Sequence, residues 1–270
     1  QLALPSCEAM EPNQGGIILG KDNNWYFLTH HGTGDWSGRI VSLLPVTWVQ
    51  DWPIPGEVLS QNIGTMKWDG KIPFKHTEKL SIKRSDDFDE DCLAPQWQWN
   101  YQPRKDYFSL TERPGWLRLK AYRPLETNNL LKAGNTLTQR TFRKQNNDVT
   151  IKMDISNMQD GQKNGLCHFS SQHSAIGIVK EEDACYLEYR KNGNITKGIQ
   201  IHSEFVWFRT EWGMDGKSQY YYSLDGDNFL PFGEKYQLTW GNYRGDRIGI
   251  YCFNDKKETG SVDVDYCHYR

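Results

Sequence analysis

The stretch that decides the fold is Asn13 to Trp52, NQGGIILGKDNNWYFLTHHGTGDWSGRIVSLLPVTWVQDW. It reads as three short strands and two turns. Ile17, Ile18 and Leu19 form the first run, and Lys21-Asp22-Asn23-Asn24 is a polar turn. Trp25-Tyr26-Phe27-Leu28 is the second run, with aromatics suited to a pleated surface. Gly32, Gly34 and Gly38 interrupt the chain before a third run, Ile40 to Trp48, which Pro53 and Pro55 are expected to end. Between the second and third runs lie His30, His31, Trp36 and Arg39. Imidazoles, an indole and a guanidinium on a glycine-rich connection between strands are groups that bind ligands.

Working outward, the remainder of the chain is also β-patterned. Trp116 to Ala121 alternates apolar and polar, and Val149, Ile151, Met153 and Ile155 share one face of a strand from Asp148 to Ile155. Further runs are expected at Trp97–Asn100, Tyr107–Leu110, Thr138–Arg143, Gly165–Ser170, Ala175–Lys180, Ala184–Tyr189, Phe205–Thr210, Ser218–Leu224, Asp246–Phe253 and Ser261–Tyr269. Asn192-Gly193 and Asp225-Gly226 are hairpin signals. No window keeps a helical period. Many short strands with frequent turns imply a two-sheet sandwich or a barrel. Ile54 to Lys83, with Pro55, Gly56, Gly64, Gly70 and Pro73, reads as an ordered connector.

The 270 residues suffice for one large or two modest domains, and 37% hydrophobic with 11 Trp is a globular composition with an aromatic surplus. A net charge of −2 gives no electrostatic case for nucleic acid or an anionic membrane. No apolar run approaches the roughly 18 residues of a transmembrane helix. No signal peptide is legible at Gln1, and a chain starting with Gln is expected to be processed or excised. Cys7, Cys92, Cys167, Cys185, Cys252 and Cys267 show no CxxC spacing, so they read as free thiols or as up to three disulfides, not as a zinc cluster. Asn194-Ile195-Thr196 is a glycosylation triplet of a kind common by chance.

Asn13-Gln14-Gly15-Gly16, Trp25-Tyr26-Phe27-Leu28-Thr29-His30 and Gly38-Arg39, with Leu43-Leu44-Pro45-Val46-Thr47-Trp48, resemble the last blade of the five-bladed β-propeller of glycoside hydrolase family 43, in its β-xylosidase/α-arabinofuranosidase branch. From about Phe88 onward the chain looks like the concanavalin-like β-sandwich that follows that propeller. The resemblance implies an all-β chain: residues 1–60 as a last-blade segment of a partial propeller, 61–85 as linker and 86–270 as the C-terminal sandwich. It covers only the C-terminal half of such an enzyme. Three strands fall short of a four-stranded blade, so the first segment is expected to need partner blades or cover from the sandwich.

The same resemblance implies an inverting, exo-acting hydrolase that releases terminal xylose or arabinofuranose from xylan or xylo-oligosaccharide. Its catalytic carboxylates come from earlier blades, here a separate, cleaved or missing N-terminal half. None of Glu8, Glu11 and Asp35 makes a convincing substitute pair; they read as surface carboxylates. Arg39 matches the family arginine that reaches a sugar hydroxyl near the acidic centre, where a guanidinium favours ionised carboxylates. Gln14 stands where many relatives carry a histidine near the propeller axis. His30 faces the same region by strand parity, and His31 the opposite one. Trp36 is set either to stack on a sugar or to pack beneath its loop. Tyr243, in Gly241–Gly245, roughly matches an aromatic that closes the pocket mouth, or is an ordinary turn residue.

Asp86, Asp87 and Asp89 near the start of the sandwich, with Asp263 and Asp265 at its end, are candidate ligands of a structural calcium; a solvated acidic run is the alternative. A rival function is a non-catalytic xylan-binding module using Trp97, Trp99, Trp116, Trp207 or Trp212. A third is a structural cap for the propeller. A polysaccharide-degrading role suggests a secreted or periplasmic protein, in which some disulfide pairing is expected.

Overall fold

A computed structural model describes the backbone of residues 2–4, and residues 13–65, 70, 73, 81–241 and 244–270. The chain divides into two compact units. The first is Gln1–Ile82 with Asn242–Gly245, and the second is Lys83–Gly241 with Asp246–Arg270.

The first unit holds a four-stranded antiparallel meander: Gly15–Leu19, Trp25–Gly32, Arg39–Val49 and Trp52–Pro55. The expectation of three strands is corrected here. Pro53 and Pro55 do not end the sheet; they sit in its fourth strand, opposite Trp48 and Val46. Proline has no N–H to give, yet at alternate positions of an edge strand its nitrogen faces away from the ladder. The turn between the third and fourth strands is the second reason sequence reading misses this strand. Gln50 and Asp51 both take positive φ, 50° and 65°, the pattern of a type I′ hairpin without the usual glycine.

A second small sheet pairs Leu2–Leu4 in parallel with Ile63–Thr65, which pairs antiparallel with Glu57–Ser60. Two of these strands lie in the segment that reads as a connector. Among the described residues of this unit, Tyr26, Trp36, Leu44, Val46 and Ile54 are the buried apolar side chains.

The second unit is a sandwich of two antiparallel sheets. One contains, edge to edge, Leu230–Pro231, Lys217–Ser223, Phe205–Trp212, Asn147–Asp154, Ser261–Tyr269, Leu117–Lys120 and Phe108–Ser109, with Tyr236–Gln237 also paired to Lys217–Ser223. The other runs Asn194–Ile201, Ala184–Lys191, His173–Glu181, Gln162–Phe169, Arg247–Asn254, Thr136–Arg140 and Gln98–Trp99. Val149, Ile151 and Met153 are fully buried, as their alternation requires. Each such side chain contributes about 1.5–3 kcal/mol relative to exposure.

The second sheet is covered on both faces along part of its length. Leu130, Ala133, Cys167, Phe169, Ala175, Tyr251 and Phe253 form a separate core cluster there. Its cover is a 3-10 turn, Leu130–Lys132, capped by Asn129, whose Oδ1 accepts from Leu131 N at 3.0 Å. This explains the nearly continuous burial along His173–Val179.

A buried polar group ties the two sheets together. His168 Nδ1 lies 2.9 Å from Asp246 Oδ1, and its Nε2 lies 3.0 Å from Thr210 Oγ1. Tyr220 Oη accepts from His168 N and donates to the Ser174 carbonyl, both at 2.8 Å. Burial pushes the Asp246 carboxyl up, and its bond to His168 opposes that shift. Satisfied polar groups of this kind fix which strands face each other.

Candidate functional site

Four of the binding residues expected from the sequence, Gln14, His30, Trp36 and Arg39, lie at one end of the blade hairpin. Gly32 pairs with Arg39 and His30 with Val41, so strand alternation sets His30 and Arg39 on one face and His31 on the other. Between them, Asp35 closes the loop: its Oδ1 accepts from Ser37 N at 2.8 Å and from Thr33 Oγ1 at 2.9 Å. Gly38 N donates to the Asp35 carbonyl at 3.1 Å, and Thr33 N to the Gly38 carbonyl at 2.9 Å. Gly38 takes φ +74°, and a Cβ there would stand 2.4 Å from Gly245 N, so glycine is required on both counts.

Arg39 is half-buried, with Nη2 3.3 Å from Asn13 Oδ1. Asn13 N in turn donates to the His30 carbonyl at 3.2 Å, and Thr29 Oγ1 donates to the Asn13 and Gln14 carbonyls at 3.0 and 3.2 Å. The two residues just before the first blade strand, Asn13 and Gln14, thus lie beside His30 and Arg39. Gln14 is exposed. Nδ1 of His30 is buried with no hydrogen-bond partner among the described residues, as is Nε2 of His31. His31 Nδ1 meets Ser42 Oγ at 2.6 Å, and burial, then the neighbouring His30, lowers its pKa.

Trp36 keeps only 4% of its surface, so in this chain its indole packs beneath the loop and presents no ring face to a sugar. Tyr243 lies outside the described residues, as do Glu8, Glu11 and Cys7. The five described cysteines, Cys92, Cys167, Cys185, Cys252 and Cys267, are all unpaired.

The proposed calcium ligands are not gathered. Asp263 is engaged by two guanidiniums: Arg118 Nε at 2.7 Å and Nη2 at 2.8 Å, and Arg113 Nη1 at 2.9 Å. Asp265 is paired with Lys152 at 2.7 Å. Asp86 is buried and accepts from Trp97 Nε1 at 2.8 Å and Phe88 N at 3.1 Å. Asp87 meets His268 at 2.7 Å, and Asp89 is exposed. Among the described residues no group of three His, Cys, Asp or Glu side chains could hold a metal. Cations and an indole N–H engage Asp86, Asp87, Asp263 and Asp265 instead; the ion-pair partners were not legible because they lie up to 181 residues away.

Of the five tryptophans named from the sequence, Trp207 is half-buried, with the Lys152 ammonium 5.8 Å from its ring. Trp97 and Trp212 are buried, Trp99 packs on Phe108 at 4.8 Å, and the Trp116 ring lies under the Arg113 guanidinium at 3.8 Å.

Residues 85–270 match the sequence profile of the beta xylosidase C-terminal concanavalin A-like domain of the GH43 enzymes. The chain belongs to this family. It is 34% identical to a beta-xylosidase of Formosa agariphila over 95% of its own length and 47% of the relative's. It is 31% identical to a putative beta-xylosidase of Xylanibacter ruminicola over 88% of its length and 44% of the relative's. The chain therefore spans about half the length of these curated relatives. A bifunctional GH43-CE structure from Bacteroides eggerthii superposes with a TM-score of 0.80 at 27% identity, over 97% of this chain and 35% of that one. The GH43 protein BlXynB of Bacillus licheniformis shares the fold, with a TM-score of 0.79 at 21% identity over 99% and 55% of the two chains. The GH43 chain described above is thus all-β, with a concanavalin-like sandwich and a propeller part, and corresponds to the C-terminal portion of its relatives.

Proposed function

We propose that this chain is the C-terminal part of an inverting, exo-acting GH43 glycosidase that removes terminal xylose or arabinofuranose from xylan-derived oligosaccharides. In this reading Arg39 and His30, with Asn13 and Gln14 beside them, line the substrate end of the blade. The catalytic acid and base reside on polypeptide outside this chain. Inversion requires two carboxyl groups about 6.5–9.5 Å apart with a water between base and sugar. In the first unit Asp35 and Asp22 each serve a turn: Asp22 accepts from Tyr26 Oη at 2.7 Å and Asn24 Nδ2 at 3.0 Å. Such turn-bound carboxylates support the view that the acids are supplied from elsewhere.

One observation carries the proposal. The blade sheet exposes apolar side chains on both faces: Leu28 and Val41 on one, Ile17, Leu19, Trp25 and Trp48 on the other. A sheet with two apolar faces is built to lie between neighbouring sheets, as a propeller blade does. A secreted or periplasmic location belongs to the same proposal.

Turnover of a chromogenic aryl xyloside tests it. The purified chain alone should give none, and addition of the N-terminal propeller half should restore it. Turnover by the chain by itself sinks the proposal. In the assembled protein Arg39→Ala should lower kcat/KM by about 10- to 100-fold, the loss of roughly 1.5–3 kcal/mol from a charged hydrogen bond.

A further inference from the structure

A concavity lies on the seven-stranded sheet of the sandwich, on the face turned away from the other sheet. It is a groove of about 750 Å³, within the usual size of a ligand site. Strand register builds its floor. Lys163, Val179 and Tyr186 stand in one cross-strand row, and Gly165, Gly177, Glu188 and Lys197 in the next. Thr127, Asn128, Asp255 and Lys256 close the other side.

The chemistry of the lining is specific in kind. Its apolar part is Ile195, which keeps 44% of its surface open, beside Tyr186, one face of whose ring lies under the Lys197 ammonium at 3.5 Å; Val179 beneath them is buried. Its four ammonium groups are all engaged: Lys163 by Asp255, Lys197 by Glu181, Lys256 by Asp160, and Lys180 by the Met158 carbonyl at 2.9 Å. Against these stand four carboxylates, Glu181, Glu182, Glu188 and Asp255, so the lining has no excess charge. An anion such as a phosphate would find no free cation there.

Glu188 is only 5% exposed and is paired through one oxygen with the buried Arg190. Arg190 Nη1 also donates to Asn128 Oδ1 at 2.8 Å, yet its Nη2 is buried without a partner among the described residues. A nearly buried carboxylate in the floor, with the open Ile195 side chain and Tyr186 alongside and every lining ammonium already engaged, suits hydroxyl groups and C–H faces together.

We propose that this groove binds a neutral, polyhydroxylated chain, and specifically a segment of uncharged arabinoxylan or xylo-oligosaccharide. The choice of xylan rests on the function proposed above; the neutrality rests on the groove alone.

Affinity electrophoresis of the full protein tests this, in native gels containing neutral arabinoxylan, dextran or polygalacturonate. The protein should be retarded by arabinoxylan and by neither control. Ile195→Asn and Tyr186→Ala should weaken that retardation at least about 5-fold, with melting temperature and circular dichroism unchanged. Glu188→Gln should do the same if it folds; Ile195→Asn, at an exposed position, keeps the test open if it does not. No retardation, retardation by polygalacturonate alone, or undiminished retardation of Ile195→Asn would overturn the groove. Retardation without aryl-xyloside turnover by the assembled protein supports the groove and removes the hydrolase reading; turnover without retardation does the reverse.

Discussion

In the sandwich strand Asn147–Asp154, Val149, Ile151 and Met153 are all fully buried, whereas in the blade strand Gly15–Leu19, Ile17, Ile18 and Leu19 keep 40%, 38% and 54% of their surface. Both strands carry apolar side chains of similar size. The sandwich strand lies in a sheet with a second sheet against its apolar face. The blade strand is the edge of a four-stranded sheet whose two faces are both partly open. Apolar sequence therefore signals a buried strand in both places, but only in the sandwich does this chain itself supply the cover. A unit that completes its own core should fold by itself, and one that does not should depend on more polypeptide.

The sharpest way to break that comparison is to separate the two units. Residues 83–270 expressed alone should unfold in one cooperative transition by urea-monitored fluorescence. Residues 1–82 alone should show no such transition and should aggregate. Cooperative folding of the short segment would remove the contrast.

Next in size is the ion-pair group on the sandwich. Asp263 is 1% exposed and holds Arg113 and Arg118, which are 32% and 23% exposed. Asp263→Ala removes three guanidinium hydrogen bonds, while Asp154 still holds Arg113 and Glu112 still holds Arg118, and should cost about 2–3 kcal/mol in a urea melt.

The sandwich should also carry an acid-sensitive contribution, of the same sign as that of His31 in the blade. Burial, and then Arg190, lower the His173 pKa from 6.5 to about 4. The unfolded chain then takes up the proton first on acidification. Stability should be full above pH 6.5 and fall by about 2–3 kcal/mol as pH drops toward 4. In the His173→Gln variant the slope of stability against pH in that window should flatten; an unchanged slope would place the effect elsewhere.

The smallest effect discriminates best within the blade. Leu44 is 2% exposed and Leu28 is 45% exposed. Leu44→Ala should cost about 2 kcal/mol more than Leu28→Ala in this chain. When the rest of the propeller is present, that gap should narrow, because Leu28 then gains the cover it lacks.

Several of these features were legible from residues alone. Asn192-Gly193 forms the turn between Ala184–Lys191 and Asn194–Ile201, with φ of 49° and 90°, as the dipeptide demands. Yet the Asn194–Ile201 strand itself gave little signal, because it is an edge strand with mostly exposed side chains and no alternation. The blade's fourth strand was hidden by prolines that an edge tolerates. At the candidate site, the grouping of His30 with Arg39 follows from parity, but the burial of Trp36 does not. That burial depends on how the Thr33–Gly38 loop closes on Asp35.

Local chemistry was enough to establish an all-β chain and most of its strands, because side-chain alternation and turn residues act over a few positions; the kinship with the GH43 enzymes came from the resemblance of whole motifs. Only the tertiary structure decided where the charges go. In the sequence Asp263 is either a calcium candidate or part of a solvated acidic surface; the fold brings Arg113 to it from 150 residues away. Ion pairs form across strands that are neighbours in space, and strand order is set by which apolar faces can be buried together, a property of the whole chain.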